Sequence, residues 1–185
     1  MMFRLLLLGL FLGPGACTCM KSDEELMQEV MREQERQDQA LPEENRPIEL
    51  TVVGLNYTDL SIYSFSVGGI GGATIAVSSP ITGGGGGVCC LRWYPGAQLP
   101  IPVKVKWTRD NKRFCEKEAL ITGPEPLRPR HLGVHFFPDG HIELKLTEEY
   151  PAPLLRLERF SETQRKQSDN VVLDEQVARC KDGYL

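Results

Sequence analysis

HLGVHFF-PDG-HIELKL, residues 131–146, sets two short apolar runs on either side of Pro138-Asp139-Gly140. An Asp-Gly step between such runs is a strong hairpin signal, because Gly accepts the positive φ of a tight turn. The same texture recurs outward from this hairpin. IELTVVGL at 48–55 is β-branched, and residues 61–67 alternate, with Tyr63, Phe65 and Val67 on one face against Ile62, Ser64 and Ser66. Residues 73–78 form a further apolar run, VCCLRWY at 88–94 puts Cys89, Leu91 and Trp93 on one face, and VKVKW at 103–107 and residues 154–160 alternate. Short strands at close spacing, with Gly and Pro between them, predict a mainly β fold: an antiparallel sandwich or a partly open barrel. Residues 170–181 are read as a last helix or an extended tail.

The N-terminal part differs. Ser22 followed by Glu25 is a capping box, and Leu26, Met27, Val30 and Met31 recur at helical spacing, which predicts a helix over 22–39 with a narrow apolar stripe. Pro42 and Pro47 end it and frame a linker. Ahead of it, Arg4 precedes the apolar run Leu5 to Leu12, and Gly13, Gly15 and Ala16 lead into Cys17. That is the layout of a secretory signal, and the run is far shorter than the ~20 apolar residues of a membrane span. The position of Cys17 resembles a bacterial lipoprotein signal, in which the Cys becomes the lipidated first residue, although Pro14 stands where Leu is usual. Simple cleavage near Ala16 or Thr18 is the alternative. The expected organisation is a signal peptide over 1–16, an acidic helical arm and linker over 17–47, and a β-rich domain over 48–185. The expected location is the periplasm, with a lipid holding the protein to a membrane.

Charge narrows the partners. Residues 21–46 carry nine acids and four bases, whereas residues 47–185 carry sixteen of each. A neutral body without a clustered basic face argues against nucleic acid, and an acidic arm is not drawn to anionic head groups, so any membrane attachment falls to the lipid. Of the six cysteines, Cys17 and Cys19 belong to the signal region and Cys89, Cys90, Cys115 and Cys180 to the body. In an oxidising compartment these four are disulfide candidates. On an extended segment Cys89 and Cys90 point to opposite faces, so they are expected to have different partners, Cys115 and Cys180 in some order. Free buried thiols are the other possibility. With no CxxC present, and with adjacent Cys on a regular strand not easily ligating one tetrahedral ion together, a metal site is not expected, and no cofactor is.

Two glycine runs stand out: GGIGG at 68–72 and five consecutive glycines at 83–87. No Lys-Ser or Lys-Thr follows, so the phosphate-binding P-loop pattern fails. The ordinary reading is a tight or adaptable loop between strands. A second reading makes Gly68, Gly69, Gly71, Gly72, Gly83, Gly84, Gly85, Gly86 and Gly87 bare backbone that follows a partner's surface. Ser66 lies in half of a nucleophile-elbow pattern, but the first Gly is missing and the segment reads as a strand. His131, His135 and His141 are the only histidines, and their setting in the hairpin favours ordinary strand positions over a metal site. Trp93, Trp107 and Tyr94 are core or interface candidates, with the core favoured. No acid/base or nucleophile set assembles, which argues against an enzyme.

Gly54, Asn56-Tyr57-Thr58, the Ser-Phe-Ser-Val run 64–67, GGIGG, Ser78-Ser79-Pro80, the glycine run, Cys89-Cys90, Pro95-Gly96 and Val103-Lys104-Val105 follow one another in that order. In this order they resemble a family of small Gram-negative lipoproteins catalogued as a domain of unknown function, over roughly residues 48–160. Members are found beside type VI secretion phospholipase effectors and are regarded as immunity proteins to them. The resemblance implies a periplasmic, lipid-anchored binding protein that neutralises such an effector. The alternative is a structural or assembly lipoprotein of the envelope without a toxin partner. The resemblance carries no catalytic or ligand residue.

Overall fold

In the computed structural model, which describes residues 22–79, 83–155 and 174–183, a helix is followed by one large sheet. The chain divides into two compact units, Met1–Ala40 and Leu41–Leu185. In the first, α1 spans Asp23–Ala40. Its capping box forms as expected: the Ser22 amide donates to Glu25 Oε2 at 3.0 Å, and the Glu25 amide donates to Ser22 Oγ at 3.2 Å. Two of the first turn's orphan donors are thereby satisfied.

In the second unit the strands are β1 (Ile48–Asn56), β2 (Ile62–Val67), β3 (Ile70–Ile75), β4 (Gly86–Trp93), β5 (Ile101–Thr108), β6 (Arg113–Ile121), β7 (His131–Phe136), β8 (Ile142–Thr147) and β9 (Arg179–Asp182). They pair in the order β3-β2-β5-β6-β8-β7-β1-β4, with β9 added to β6. The two ends of this path, β3 and β4, lie against each other, so the sheet is a nearly closed barrel. The expected barrel is present, but the sheet is mixed rather than antiparallel. β1 runs parallel to β7 from Thr51 opposite His131 to Asn56 opposite Phe136, and β6 meets β8 in parallel at Ile121 and Leu144. Local hairpin signals cannot report such pairings, since the partners lie tens of residues apart in the chain.

Inside the barrel, Leu50 and Val52 of β1 meet Phe65, Trp107, Leu132 and Phe136. Phe136 packs edge-on against both Phe65 and Trp107, at ring-centroid distances of 6.2 and 5.7 Å. Trp93 and Trp107 are both buried, as expected, whereas Tyr94 is exposed. A second, smaller apolar cluster lies on the other face of β1, where Val53, Leu55 and Tyr57 pack with Phe137 and Leu155.

Two expected face assignments fail at bulges. Between Ile62, opposite Ile75, and Phe65, opposite Ala73, β2 carries one extra residue. Ile62, Phe65 and Val67 therefore face the core and Tyr63 is exposed. Between Leu50, opposite Leu91, and Val52, opposite Val88, β4 carries Cys89 and Cys90 against Thr51 alone. Val88, Leu91 and Trp93 then face inward and Cys89 is exposed. A bulge breaks the period of two on which face assignments rest. The alternation expected over 154–160 lies largely outside the described residues, and the expected C-terminal helix or tail is a short helix, α2 (Asp174–Val177), followed by β9.

The run Gly83–Gly87 explains how β4 reaches its place. A Cβ on Gly86 would collide with the Thr74 carbonyl of β3, and one on Gly83 would collide with Leu55 of β1. On Gly87 a Cβ would meet only ordinary contacts, at 3.8 Å from Thr51 Cγ2. The expected outcome is therefore asymmetric. Gly86→Ala should lower stability by about 2 kcal/mol or more, the usual size of an overpacking penalty. Gly87→Ala should be neutral or stabilising by up to about 1 kcal/mol through the unfolded state. Urea unfolding of the two variants checks this, and equal loss would refute the backbone-contact account.

Candidate functional site

Val67 pairs with Ile70, leaving Gly68 and Gly69 as a two-residue turn with φ of +57° and +90°. Positive φ at both central residues is the hairpin turn that matches strand twist, and Gly adopts it without strain. Beside this turn, on the outside of β2, β3 and β5, is a groove of about 160 Å³ lined by Ser64, Ser66, Gly69, Gly71, Gly72 and Lys106. Glycine backbone is flanked there by two hydroxyls, one cation and the aromatic residues Phe65, Trp107 and Phe114. Of the glycines expected to meet a partner, Gly69, Gly71 and Gly72 of the first run thus border one shallow site, and Gly68 does not line it. In the second run Gly83 and Gly84 are buried, while Gly85 and Gly87 are exposed. Ser66 is an ordinary strand residue, opposite Lys106 of β5.

The cysteines pair differently from the expectation. The sulfurs of Cys89 and Cys90 are paired with each other within the β4 bulge, and Cys115 is joined to Cys180, with Sγ–Sγ 2.02 Å and Cα–Cα 4.0 Å. The expectation of opposite faces assumed an unbroken strand, and the bulge removes that premise. The carboxylate of Glu49, on the neighbouring β1, lies within 4.8 Å of both Cys89 and Cys90 sulfurs, the one such group of potential ligands among the described residues. Alternation on β1 already turned Glu49 outward, but only the register of β1 with β4 brings it beside the bulge.

The three histidines are not brought together. His135 is 1% exposed on the outer face of β7. The Leu154 amide donates to Tyr57 Oη, and Tyr57 Oη and His135 Nδ1 share a hydrogen bond, each at 2.8 Å. With the oxygen accepting from the amide, its own proton is assigned to the bond with Nδ1. The proton of the neutral ring therefore sits on Nε2. Burial, aided by the charge of Lys145, pushes the imidazole down to about 4, and burial also raises the Tyr57 phenol. His131 packs edge-on against Tyr150, and exposed His141 stacks on Phe137 and bonds to Asp139. The contacts of His131 and of the Tyr57–His135 pair hold residues 150–155 over β1 and β7, and those of His141 stay within the β7–β8 turn.

A third cluster was not legible in the sequence. Arg109, after β5, holds Asp174 of α2 with both prongs, Nε to Oδ2 at 2.6 Å and Nη2 to Oδ1 at 3.1 Å. Its Nη1 donates to Thr58 Oγ1 at 3.0 Å and to the Leu60 carbonyl. One guanidinium thus ties the β1–β2 turn to the C-terminal segment. Its partners lie 51 and 65 residues away, so no spacing rule points to them. Among the described residues no helix is long and apolar enough to cross a membrane. Cys17 and the expected signal peptide lie outside the described residues.

Residues 55–144 match the family model described as protein of unknown function, DUF3304. The matched segment contains both glycine runs and the Cys89-Cys90 pair, whereas Glu49, Asp174 and Cys180 lie outside it. No curated protein and no solved structure matches the chain.

Two outcomes follow from these contacts. The Cys115–Cys180 bond closes a loop of 65 residues, so Cys180→Ala should cost about 2–4 kcal/mol and expose the segment after Asp174 to proteolysis. Thiol counting on the denatured, unreduced protein should find none of the four body cysteines free. For His135, the unfolded ring binds a proton near 6.5 and the folded ring only near 4. The unfolded state thus takes up protons first, and stability is lost as pH falls from about 6.5 to 4. Between pH 7 and 5 the loss should be about 2 kcal/mol. The carboxylates of Asp110, Glu116 and Asp139 are held below their ordinary range, so their contribution is lost only at lower pH. His135→Gln should flatten the pH 7 to 5 slope in urea titrations. An unchanged slope would show that another group carries it.

Proposed function

We propose that this chain is an exported envelope protein, anchored through lipid on Cys17, that binds a phospholipase effector of the type VI secretion kind in the periplasm and neutralises it. The reading is stoichiometric binding rather than turnover. The order of residues from Gly54 to Val105 supports it, through its likeness to lipoproteins found beside such effectors. The observation that carries a binding role is the groove beside the Gly68-Gly69 turn. Exposed backbone amides and carbonyls there can add hydrogen bonds to an incoming loop, the two serines can donate or accept, and Lys106 can meet an acidic group. The neutral body makes steering by net charge weak, so affinity comes from shape and local contacts, with mild salt dependence. A partner seated there would be blocked at its active-site entrance or in a movement it needs.

The test is phospholipase inhibition by the purified protein against the effector encoded by the adjacent gene. Complete inhibition near a one-to-one ratio is expected. Ser66→Arg fills the groove from an outward strand position, so it should leave thermal unfolding nearly unchanged. It should weaken inhibition at least tenfold, about 1.4 kcal/mol of binding. Absence of any complex, with no protection of a susceptible cell, would overturn this reading in favour of a structural lipoprotein.

A further inference from the structure

We propose that Cys89, Cys90 and Glu49 form a thiol-gated site for a soft, divalent d10 cation such as zinc, closed while the two sulfurs are bonded and opened by their reduction. This is independent of the partner reading. The β4 bulge turns two adjacent sulfurs to one place, and the register of β1 brings the Glu49 carboxylate beside them. Two thiolates and one carboxylate are a donor set that zinc accepts, with a fourth position left for water or an outside ligand. Tetrahedral zinc with bonds of about 2.3 Å holds two sulfurs about 3.8 Å apart, so the sulfurs must separate once their bond is broken, and the Glu49 carboxylate already lies within 4.8 Å of both.

Access separates this pair from the other disulfide. Cys89 is exposed, whereas Cys115 is buried in the core. A dithiol reductant can therefore attack Cys89 Sγ. Its first thiolate forms a mixed disulfide and releases the Cys90 thiolate. Its second thiol displaces Cys89 and leaves as the oxidised, internally bonded reductant. Two electrons pass to the protein sulfurs, and the reductant's two protons end on them. Cation binding then sends those two protons to solvent, joining M²⁺ to two thiolates and one carboxylate.

The experiment titrates the purified full chain with Zn²⁺ by calorimetry and with Cd²⁺ by thiolate-to-metal charge-transfer absorption, before and after reduction with a water-soluble phosphine under argon. Reduced protein should bind one cation more than a Cys89→Ser/Cys90→Ser variant treated alike, which retains every other thiol. Unreduced protein should lack that extra cation. Glu49→Gln should weaken the site at least tenfold while keeping the charge-transfer band. Equal uptake by the reduced wild type and the double serine variant, or uptake unaffected by reduction, would overturn the proposal. Unchanged affinity in Glu49→Gln would remove the carboxylate from the site. Near-identical unfolding curves of the variants separate loss of the site from loss of the fold.

Discussion

Strand β4 lies against β1 and β3 because the segment leading into it carries no side chains. The Gly86 backbone occupies space beside the Thr74 carbonyl that a single methyl group would fill, and Gly83 does the same beside Leu55. Asn56 ties the same region together. Its amide donates to the Gly83 carbonyl, its carbonyl accepts from Ser78, and its side chain organises the turn through Thr58 and Leu60. This buried asparagine satisfies backbone groups that would otherwise be stranded where the sheet almost closes. Gly54, Asn56, Thr58, Ser78 and the glycine run thus serve closure of the barrel.

With the barrel shut, both faces of β1 and β7 need cover. Leu132, Val134 and Phe136 fill the interior, while Gly133 and His135 face outward under Pro151 and the Tyr57 ring. The cover is held by a relay of hydrogen bonds through Tyr57 rather than by apolar contact alone, which makes it sensitive to acid. The C-terminal segment is held by different means: the Arg109 fork, the Cys115–Cys180 bond and four residues of β9 on β6. A segment of ten described residues buries too little apolar surface to stay docked unaided, and covalent and ionic ties compensate.

The irregular places in this sheet are where its chemistry is exposed. The turn at Gly68-Gly69 leaves a groove of backbone on one part of the wall, and the bulge at Cys89-Cys90 lifts two sulfurs out of another. Regular strands would have hidden these groups in ladders or in the core. Bulges and glycine turns re-aim them, which is how a largely sealed barrel can still present polar and backbone groups at its surface.

The sequence by itself determined that the body is β, where β1, β2, β4, β5 and the β7–β8 hairpin lie, that α1 begins with a capping box at Ser22, and that Trp93 and Trp107 are core. All of these rest on neighbours within a few residues, where periodicity and turn chemistry act. The same sequence bore no sign of β6 and placed β3 a few residues late. The parallel pairing of β1 with β7, the inward set Val88, Leu91 and Trp93, the pairing of Cys89 with Cys90, and the placing of Glu49 beside them were decided only by tertiary structure. So were the Tyr57–His135 bond and the Arg109–Asp174 fork. Each depends on which distant strand lies alongside and on the single extra residue of a bulge, and a one-residue change of register reverses every face that local alternation assigns.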